Sequence, residues 1–192
     1  FAYKFPAAQT VTIILDIGTN VGRTGSINPY AVLEPVRLDG VTIKTATLHN
    51  EEDILRKDVR VGDWVVIERA GQVIPRIVSP IINRRSGQEK IFSLPDSCPA
   101  CGARITKSAT ESVSRCSNPN CSAQLLESLK HFVSREGMDI DGVGTKLCST
   151  LVISGLVKDI SDIYSLSKSD LLSLERMGDK SADNIIYAIE VS

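Results

Sequence analysis

The pattern of apolar and polar residues divides the chain into three stretches. Residues 10–82 contain short runs rich in β-branched side chains and bounded by Gly and Pro, among them VTIILDIG, VTIKTATL and DWVVIERA. Runs of this kind predict strands, and several of them at this spacing predict a small all-β barrel or sandwich. Gly18, Gly22 and Gly25 suit the bends at which a sheet curls into a barrel.

From Ala123 onward the apolar residues recur at helical spacing. In AQLLESLKHFVSREG, for example, Leu125, Leu129 and Phe132 fall on one face of a helix. Residues 161–192 predict two or three further short helices. Side chains able to cap the first turn of these helices stand at Ser161, Ser169 and Asp179 or Ser181.

Between these stretches, residues 96–122 hold few large apolar side chains but four of the five cysteines. Cys98, Cys101, Cys116 and Cys121 follow the spacing C-x2-C-x14-C-x4-C. A pair of thiolates two residues apart can hold one ion from a single turn, and a second pair completes a tetrahedron. The spacing predicts a small zinc finger whose ion is structural, because all four ligands come from the protein.

Two disulfides or four thiols without a role are the alternatives for these cysteines. The sequence shows no signal peptide that would indicate export to an oxidising compartment. Cys148 lies on an apolar helical face and is expected to pack rather than react. Lys107 and Arg115 lie inside the finger, either on a solvated face or against a phosphate.

The charge of the chain is close to balanced, at −1 overall. Residues 1–95 carry a net charge of +2 and residues 96–192 a net charge of −3. A broad basic field for nucleic acid is therefore excluded, and any such contact must come from individually placed groups.

One near-repeat supplies such groups. IDGVGTKLCSTLV (140–152) and LERMGDKSADNII (174–186) share an apolar pattern, a glycine and a lysine before a helix. A helix that starts directly after a tight turn directs unpaired N–H groups outward, where they can bind one phosphate. The candidate phosphate-binding residues are Gly142, Gly144, Lys146, Gly178, Lys180 and Ser181.

The second copy departs from the first because Arg176 replaces Gly142. If that position needs a positive φ, an arginine strains it, so the second turn is either distorted or offers Arg176 itself to phosphate. Plain helix–turn–helix packing without any ligand is the alternative for both copies.

Taken together in chain order, the motifs resemble the bacterial NAD-dependent DNA ligase family. They include AYKFPA, VGRTG, LEPVRLDG, TATLHN, VGDWVVIERAGQVIPRI, RCSNPNCSAQ and HFVSREGMDIDGVGTK, and they cover essentially all 192 residues. The resemblance implies a multidomain chain with an all-β OB-fold barrel, a four-cysteine zinc finger and an all-α helix-hairpin-helix domain. The implied ranges are 1–8 for the tail of an adenylation domain, 9–90 for the OB-fold, 96–122 for the finger and 123–192 for part of the helix-hairpin-helix domain.

The resemblance also implies a reaction for the full-length enzyme. In this family a lysine takes AMP from NAD with Mg²⁺, passes it to the 5′-phosphate of nicked double-stranded DNA, and the 3′-hydroxyl then displaces AMP. The nucleophile belongs to a Lys-x-Asp-Gly motif that this sequence lacks, since RLDG (37–40) offers only Arg37, which stays protonated. Because the sequence also begins at Phe1 rather than Met, we expect a catalytically inactive part of a longer protein.

Individual residues acquire expected roles from the same resemblance. Lys4 resembles the lysine that contacts the reacting phosphate, and Arg23 and Thr24 are expected to enter the DNA minor groove. A cytoplasmic, monomeric, nucleoid-associated protein with no membrane contact is expected. A free-standing zinc-containing nucleic-acid-binding protein without catalysis, or a zinc protein with protein partners, remains the alternative.

Overall fold

The computed structural model describes residues 7–70, 74–108 and 111–192. The chain folds into two compact units. The first consists of Phe1–Val21 and Ser26–Ser117, and the second of Gly22–Gly25 and Asn118–Ser192.

Strands fill most of the first unit and helices fill most of the second. The first contains β1 (Ala8–Val21), β2 (Ile27–Leu38), β3 (Val41–Thr47), α1 (Glu51–Lys57), β4 (Arg60–Val61), β5 (Trp64–Ala70), β6 (Ile74–Pro80), a 3₁₀ turn (Ile82–Arg84), β7 (Lys90–Ile91), β8 (Ile105–Lys107) and β9 (Ser114–Cys116). The second contains α2 (Ser122–Phe132), α3 (Thr145–Ile153), a 3₁₀ turn (Ile160–Ser165), α4 (Lys168–Leu172) and α5 (Asp179–Glu190).

Five strands close into a barrel in the order β1-β2-β3-β6-β5, which confirms the predicted all-β barrel. Strand β1 is long enough to pair with both neighbours, with β5 through its first half and with β2 through its second. An irregularity between Ile14 and Asp16 bends the strand where it changes partner. Gly18 lets Tyr30 pack directly on this strand, since an added Cβ would lie 2.6 Å from its ring and the ring would have to shift.

The RLDG sequence forms the turn between β2 and β3. Leu38 pairs with Val41, and the two residues between them, Asp39 and Gly40, have φ angles of 50° and 76°. Positive φ at both central positions is the geometry that Asp-Gly favours in a two-residue hairpin. Arg37 is therefore a strand residue of the barrel wall, as the sequence indicated.

The barrel interior is filled by aliphatic side chains, and α1 covers part of it with Ile54, which is 1% exposed. Asn50 caps this helix by accepting a hydrogen bond from the backbone N–H of Asp53 at 2.8 Å. Three acidic residues in the first turn and two basic residues in the last complement the helix dipole.

Arg85 attaches the segment that follows the barrel through hydrogen bonds to two aspartates. Its guanidinium donates to the fully buried Asp63 carboxylate at 2.8 and 2.9 Å and to Asp58 at 2.6 Å. Hydrogen bonds from Arg85 and then Arg60 lower the pKa of Asp58 below its ordinary value. Pairing of β7 with β4 holds the same segment further along.

The helical unit has its own apolar core, drawn from every helix in it. The caps of its short helices lie two residues earlier than the sequence indicated. Asp159, not Ser161, caps the 3₁₀ turn that begins at Ile160, and Asp162 completes a capping box with it. Ser167, not Ser169, caps α4, and Asp170 completes the second capping box. Among the described residues, no helix has the length and apolarity needed to cross a membrane.

Candidate metal centre and nucleic-acid contacts

The four cysteines predicted as metal ligands lie together. The Sγ atoms of Cys98, Cys101, Cys116 and Cys121 are all within 4.8 Å of one another. A zinc ion with bonds of about 2.3 Å needs tetrahedral sulfur ligands about 3.8 Å apart, so the observed cluster fits such an ion with only small adjustments. None of the five cysteines is in a disulfide.

Two tight turns present the sulfurs. At the first, the N–H of Gly102 donates to the carbonyl of Cys98 at 2.9 Å, and Gly102 has a φ of 71° that favours glycine. At the second, the N–H of Asn120 donates to Oδ1 of Asn118 at 2.9 Å, and Cys121 is the N-cap residue of α2. Strands β8 and β9 pair antiparallel and bring the two turns together.

This four-cysteine module has almost no other interior. Within residues 96–108 and 111–122, the buried side chains are those of Cys98, Ser114, Cys116 and Cys121. A hydrophobic core is therefore missing, and a bound ion is the interaction that can hold the module in one conformation. Cys148 is also buried, but it lies in the core of the helical unit, where burial raises the pKa of its thiol.

Two of the three basic residues of the module, Lys107 and Arg115, are already ion-paired. Lys107 Nζ lies 2.6 Å from Glu52, and Arg115 Nε lies 3.0 Å from Glu111. Both side chains remain partly exposed, so these pairs do not decide between the two arrangements expected from the sequence, a solvated face and a phosphate contact. Both cations are thus partly neutralised within the protein.

Arg23 and Thr24 lie in the loop Gly22–Gly25, which joins β1 to β2. Both side chains are exposed, while Gly25 is buried with a φ of 76°. The turn is closed by a hydrogen bond of 2.9 Å from the N–H of Gly25 to the carbonyl of Gly22. The loop therefore presents an arginine on a defined turn.

The two copies of the near-repeat have equivalent backbones, 34 positions apart. In the first turn (residues 140–144) the N–H of Val143 donates to the carbonyl of Ile140 at 3.3 Å. Met177 and Leu174 make the same bond at the same distance in the second turn (residues 174–178). Gly144 and Gly178 then cap α3 and α5 with extended backbones, and no side chain caps either helix.

The glycine caps are not explained by packing. An added Cβ at Gly144 or at Gly178 would meet nothing within 4 Å, and both residues have negative φ angles of −82° and −99°. Serine or aspartate is a better helix cap than glycine in such a position. Open space in front of both caps leaves room for the close approach of a ligand.

Both cationic and anionic side chains lie near these caps. Lys146, Lys180 and Ser181 are exposed within the first turns of α3 and α5, and Asp179 is the first residue of α5. A cavity of about 540 Å³ at the first turn is lined by its glycines, by Lys130 and Arg135, which the repeat pattern did not identify, and by the carboxylates of Asp139 and Asp141. The sequence pattern did not mark Lys130 and Arg135, because they lie before the repeat begins.

Arg176 does not distort the second turn. Its φ of 64° is close to the 81° of Gly142, so the arginine adopts the left-handed conformation that the turn requires. Its side chain is 90% exposed. The turn is preserved at the expense of backbone strain, which for an L-residue is on the order of 1 kcal/mol.

Replacing Arg176 by glycine is expected to stabilise the fold by about 0.5–1 kcal/mol, because relief of strain exceeds the added entropy of the unfolded chain. The ion pair with Glu175 spans 3.7 Å between exposed side chains and contributes little. Chemical denaturation measures the change. Glu175→Gly, at a neighbouring exposed position without positive φ, should instead destabilise; a loss of stability in both variants would contradict the strain.

Lys4, expected from the resemblance to contact the reacting phosphate, lies outside the described residues.

Comparison with known proteins gives matches along the whole chain. Residues 11–89 match the NAD-dependent DNA ligase OB-fold domain family. The chain is 53% identical to a DNA ligase of Dehalococcoides mccartyi over 98% of its length, and 53% identical to a DNA ligase of Halothermothrix orenii over all of it. A DNA ligase of Myxococcus xanthus is 51% identical, again over the whole chain. The chain spans 28–29% of the length of these relatives.

Proposed function

We propose, from the premise that this chain belongs to the NAD-dependent DNA ligase family, that it is the part of a ligase that holds nicked double-stranded DNA. Its proposed modules are the OB-fold barrel, a structural zinc finger and a helix-hairpin-helix domain. The reaction with NAD and Mg²⁺, and the phosphate contact of Lys4, belong to the proposal for the longer protein. So do a monomeric state and a cytoplasmic location.

One observation carries the proposal beyond the family relationship. Two helices, α3 and α5, start in the same way, with an uncovered glycine cap and an exposed lysine two residues later. The unpaired N–H groups of such a start have partial positive charge and suit one phosphate. Two starts on one short unit suit a ligand that repeats its phosphates along a backbone.

The same arrangement explains how a chain of net charge −1 can bind a polyanion. Backbone N–H groups add no formal charge, so the contact is local and independent of the overall field. Contacts with phosphates carry no base information. Arg23 in the minor groove would add a contact that is also largely insensitive to sequence. Both properties suit an enzyme that must act at any nick.

Alanine at Lys146 or Lys180 is expected to weaken binding to nicked duplex and to reduce the slope of log K against log salt by about 1 for each variant. Each lysine removed abolishes one phosphate contact and the counterion release that accompanies it. Fluorescence anisotropy with a labelled nicked duplex at several salt concentrations measures both quantities on the zinc-loaded 192-residue chain.

Lys158 provides the matched control, since it is exposed in the same unit but lies outside both turns. Lys158→Ala should keep the slope of the unmodified protein. Equal slopes for all three variants, or no binding of the folded protein to nicked duplex at low salt, would overturn the proposed function.

A further inference from the structure

The C-terminal end of the loop Gly22–Gly25 is held by residues that lie close to the cysteines in sequence. Within the second unit, Gly25 packs directly against Gln124, because an added Cβ at this glycine would lie 3.0 Å from the side-chain Nε2 of Gln124. Gly25 has a positive φ, a conformation that glycine adopts at lower cost than any other residue. The amide of Gln124 thus lies where the loop closes.

Gln124 is itself tied to the second cysteine turn. Its Nε2 donates to the carbonyl of Asn118 at 3.0 Å, between Cys116 and Cys121. It lies three residues after Cys121 in the first turn of α2, and the N–H of Leu125 donates to the carbonyl of Cys121 at 3.0 Å. The position of the amide therefore depends on how the second cysteine turn is held.

The residue that follows the loop is attached to the same module. Within the first unit, Ser26 forms an isolated antiparallel bridge with Arg115, the residue before Cys116. Arg115 is restrained in turn by its ion pair with Glu111. The loop thus has one support beside Cys116 and another beside Cys121, which would be two ligands of one ion.

We propose that the four-cysteine module is the support that positions the loop Gly22–Gly25 for DNA, with Gln124 as the positioning residue. This inference rests on the proposed function, in which Arg23 contacts the duplex. It assigns the module a second role beyond its own stability: the bound ion fixes the positions of Cys116 and Cys121, and Arg115 and Gln124, which lie beside them, hold the end of the loop. Gln124 touches no DNA in this arrangement and acts through Arg23.

A double-mutant cycle on the zinc-loaded 192-residue chain tests this role. Gln124→Ala is expected to lower the affinity for nicked duplex about threefold, and to have almost no effect once Arg23 is alanine, because coupled residues are not additive. Gln124→Ala combined with Lys146→Ala serves as the control pair. Their effects should multiply, since Lys146 lies at the start of α3 and does not depend on the loop.

Zinc content and thermal unfolding of each variant show that the fold is retained. If Gln124→Ala lowers the affinity equally with and without Arg23, the residue has only a general structural role and the inference is overturned. If Arg23→Ala alone leaves the affinity unchanged, the DNA contact of the loop fails and the inference fails with it. In that second case, if Lys146→Ala still reduces the slope of log K against log salt, the proposed phosphate contacts of the two turns are retained.

Discussion

Serine substitution of Cys98 and Cys116 together is expected to abolish zinc binding and to unfold residues 96–122. The chain should contain about one zinc ion before the change and none after it. Structural zinc sites contribute on the order of 10 kcal/mol of apparent binding free energy, far more than the few buried side chains of this module can replace. Elemental analysis of the purified protein and circular dichroism measure the two effects.

Cys148→Ala is the matched control for that experiment. Cys148 is as buried as the proposed ligands, but its thiol packs in the helical core and has a raised pKa. The variant should keep its zinc and lose only about 1 kcal/mol of stability through a small cavity. A chain that remains folded without metal, or that loses zinc on changing Cys148, would contradict the assignment.

Loss of the ion should also affect the two proposed kinds of DNA contact, that of Arg23 and those of the two glycine turns, to different extents. If the module supports the loop Gly22–Gly25, removal of zinc affects Arg23 first, because Gln124 and Arg115 no longer have fixed positions. The turns at Gly144 and Gly178 are anchored in the helical core by Val143 and Leu174 and have their own supporting hydrogen bonds. Lys146→Ala should therefore still reduce the salt slope in metal-free protein whose helices remain folded.

Patterns that act locally in the chain predicted the structure well. The β-branched runs predicted the barrel strands, the cysteine spacing predicted the cluster, and the near-repeat predicted two equivalent helix starts. Each of these features depends on residues close together in sequence. The helix caps were misplaced by two residues because Asp159 and Ser167 compete with nearby side chains of equal capping ability.

Contacts between distant segments could not be predicted in the same way. The partner of Lys107 is Glu52, 55 positions away, and Gln124 meets a loop about 100 positions before it. Neither pair follows a periodic pattern, so the sequence alone did not predict the partner of Lys107 and gave Gln124 no role. Arg176 is a third case. The sequence indicated that its turn could need a positive φ, but only the structure shows that the arginine itself adopts that conformation.

Alanine at both Gly144 and Gly178 is expected to lower the affinity for nicked duplex on the order of 100-fold. Each Cβ would occupy the space through which a phosphate reaches the N–H groups at the start of α3 or α5. Hydrogen bonds to a charged group contribute about 1.5–3 kcal/mol, which is tenfold or more for each turn. Fluorescence anisotropy with a labelled nicked duplex measures the loss.

No steric strain is expected in the same variant, because the two Cβ atoms meet no other atom of the protein and φ is negative at both positions. Alanine is a poorer N-cap residue than glycine, so the unfolding free energy should fall by about 0.5–1 kcal/mol for each helix while the fold is retained. Gly142→Ala offers the opposite case. There φ is +81° and an added Cβ would lie 3.2 Å from Cγ1 of Ile185, so we expect a loss of about 1–2 kcal/mol in stability. Glycine is thus favoured by the fold at position 142 and, in our proposal, required by the ligand at positions 144 and 178.

Serine at positions 144 and 178 separates the two requirements completely. Its hydroxyl can accept from the free N–H groups of the first turn, so the unfolding free energy should rise by a few tenths of a kcal/mol for each helix. The same hydroxyl occupies the donors that a phosphate needs, so the affinity for DNA should fall. A more stable protein that binds more weakly is the outcome that only a ligand at the glycine caps explains. Unchanged affinity in this variant would remove the phosphate sites from the proposal.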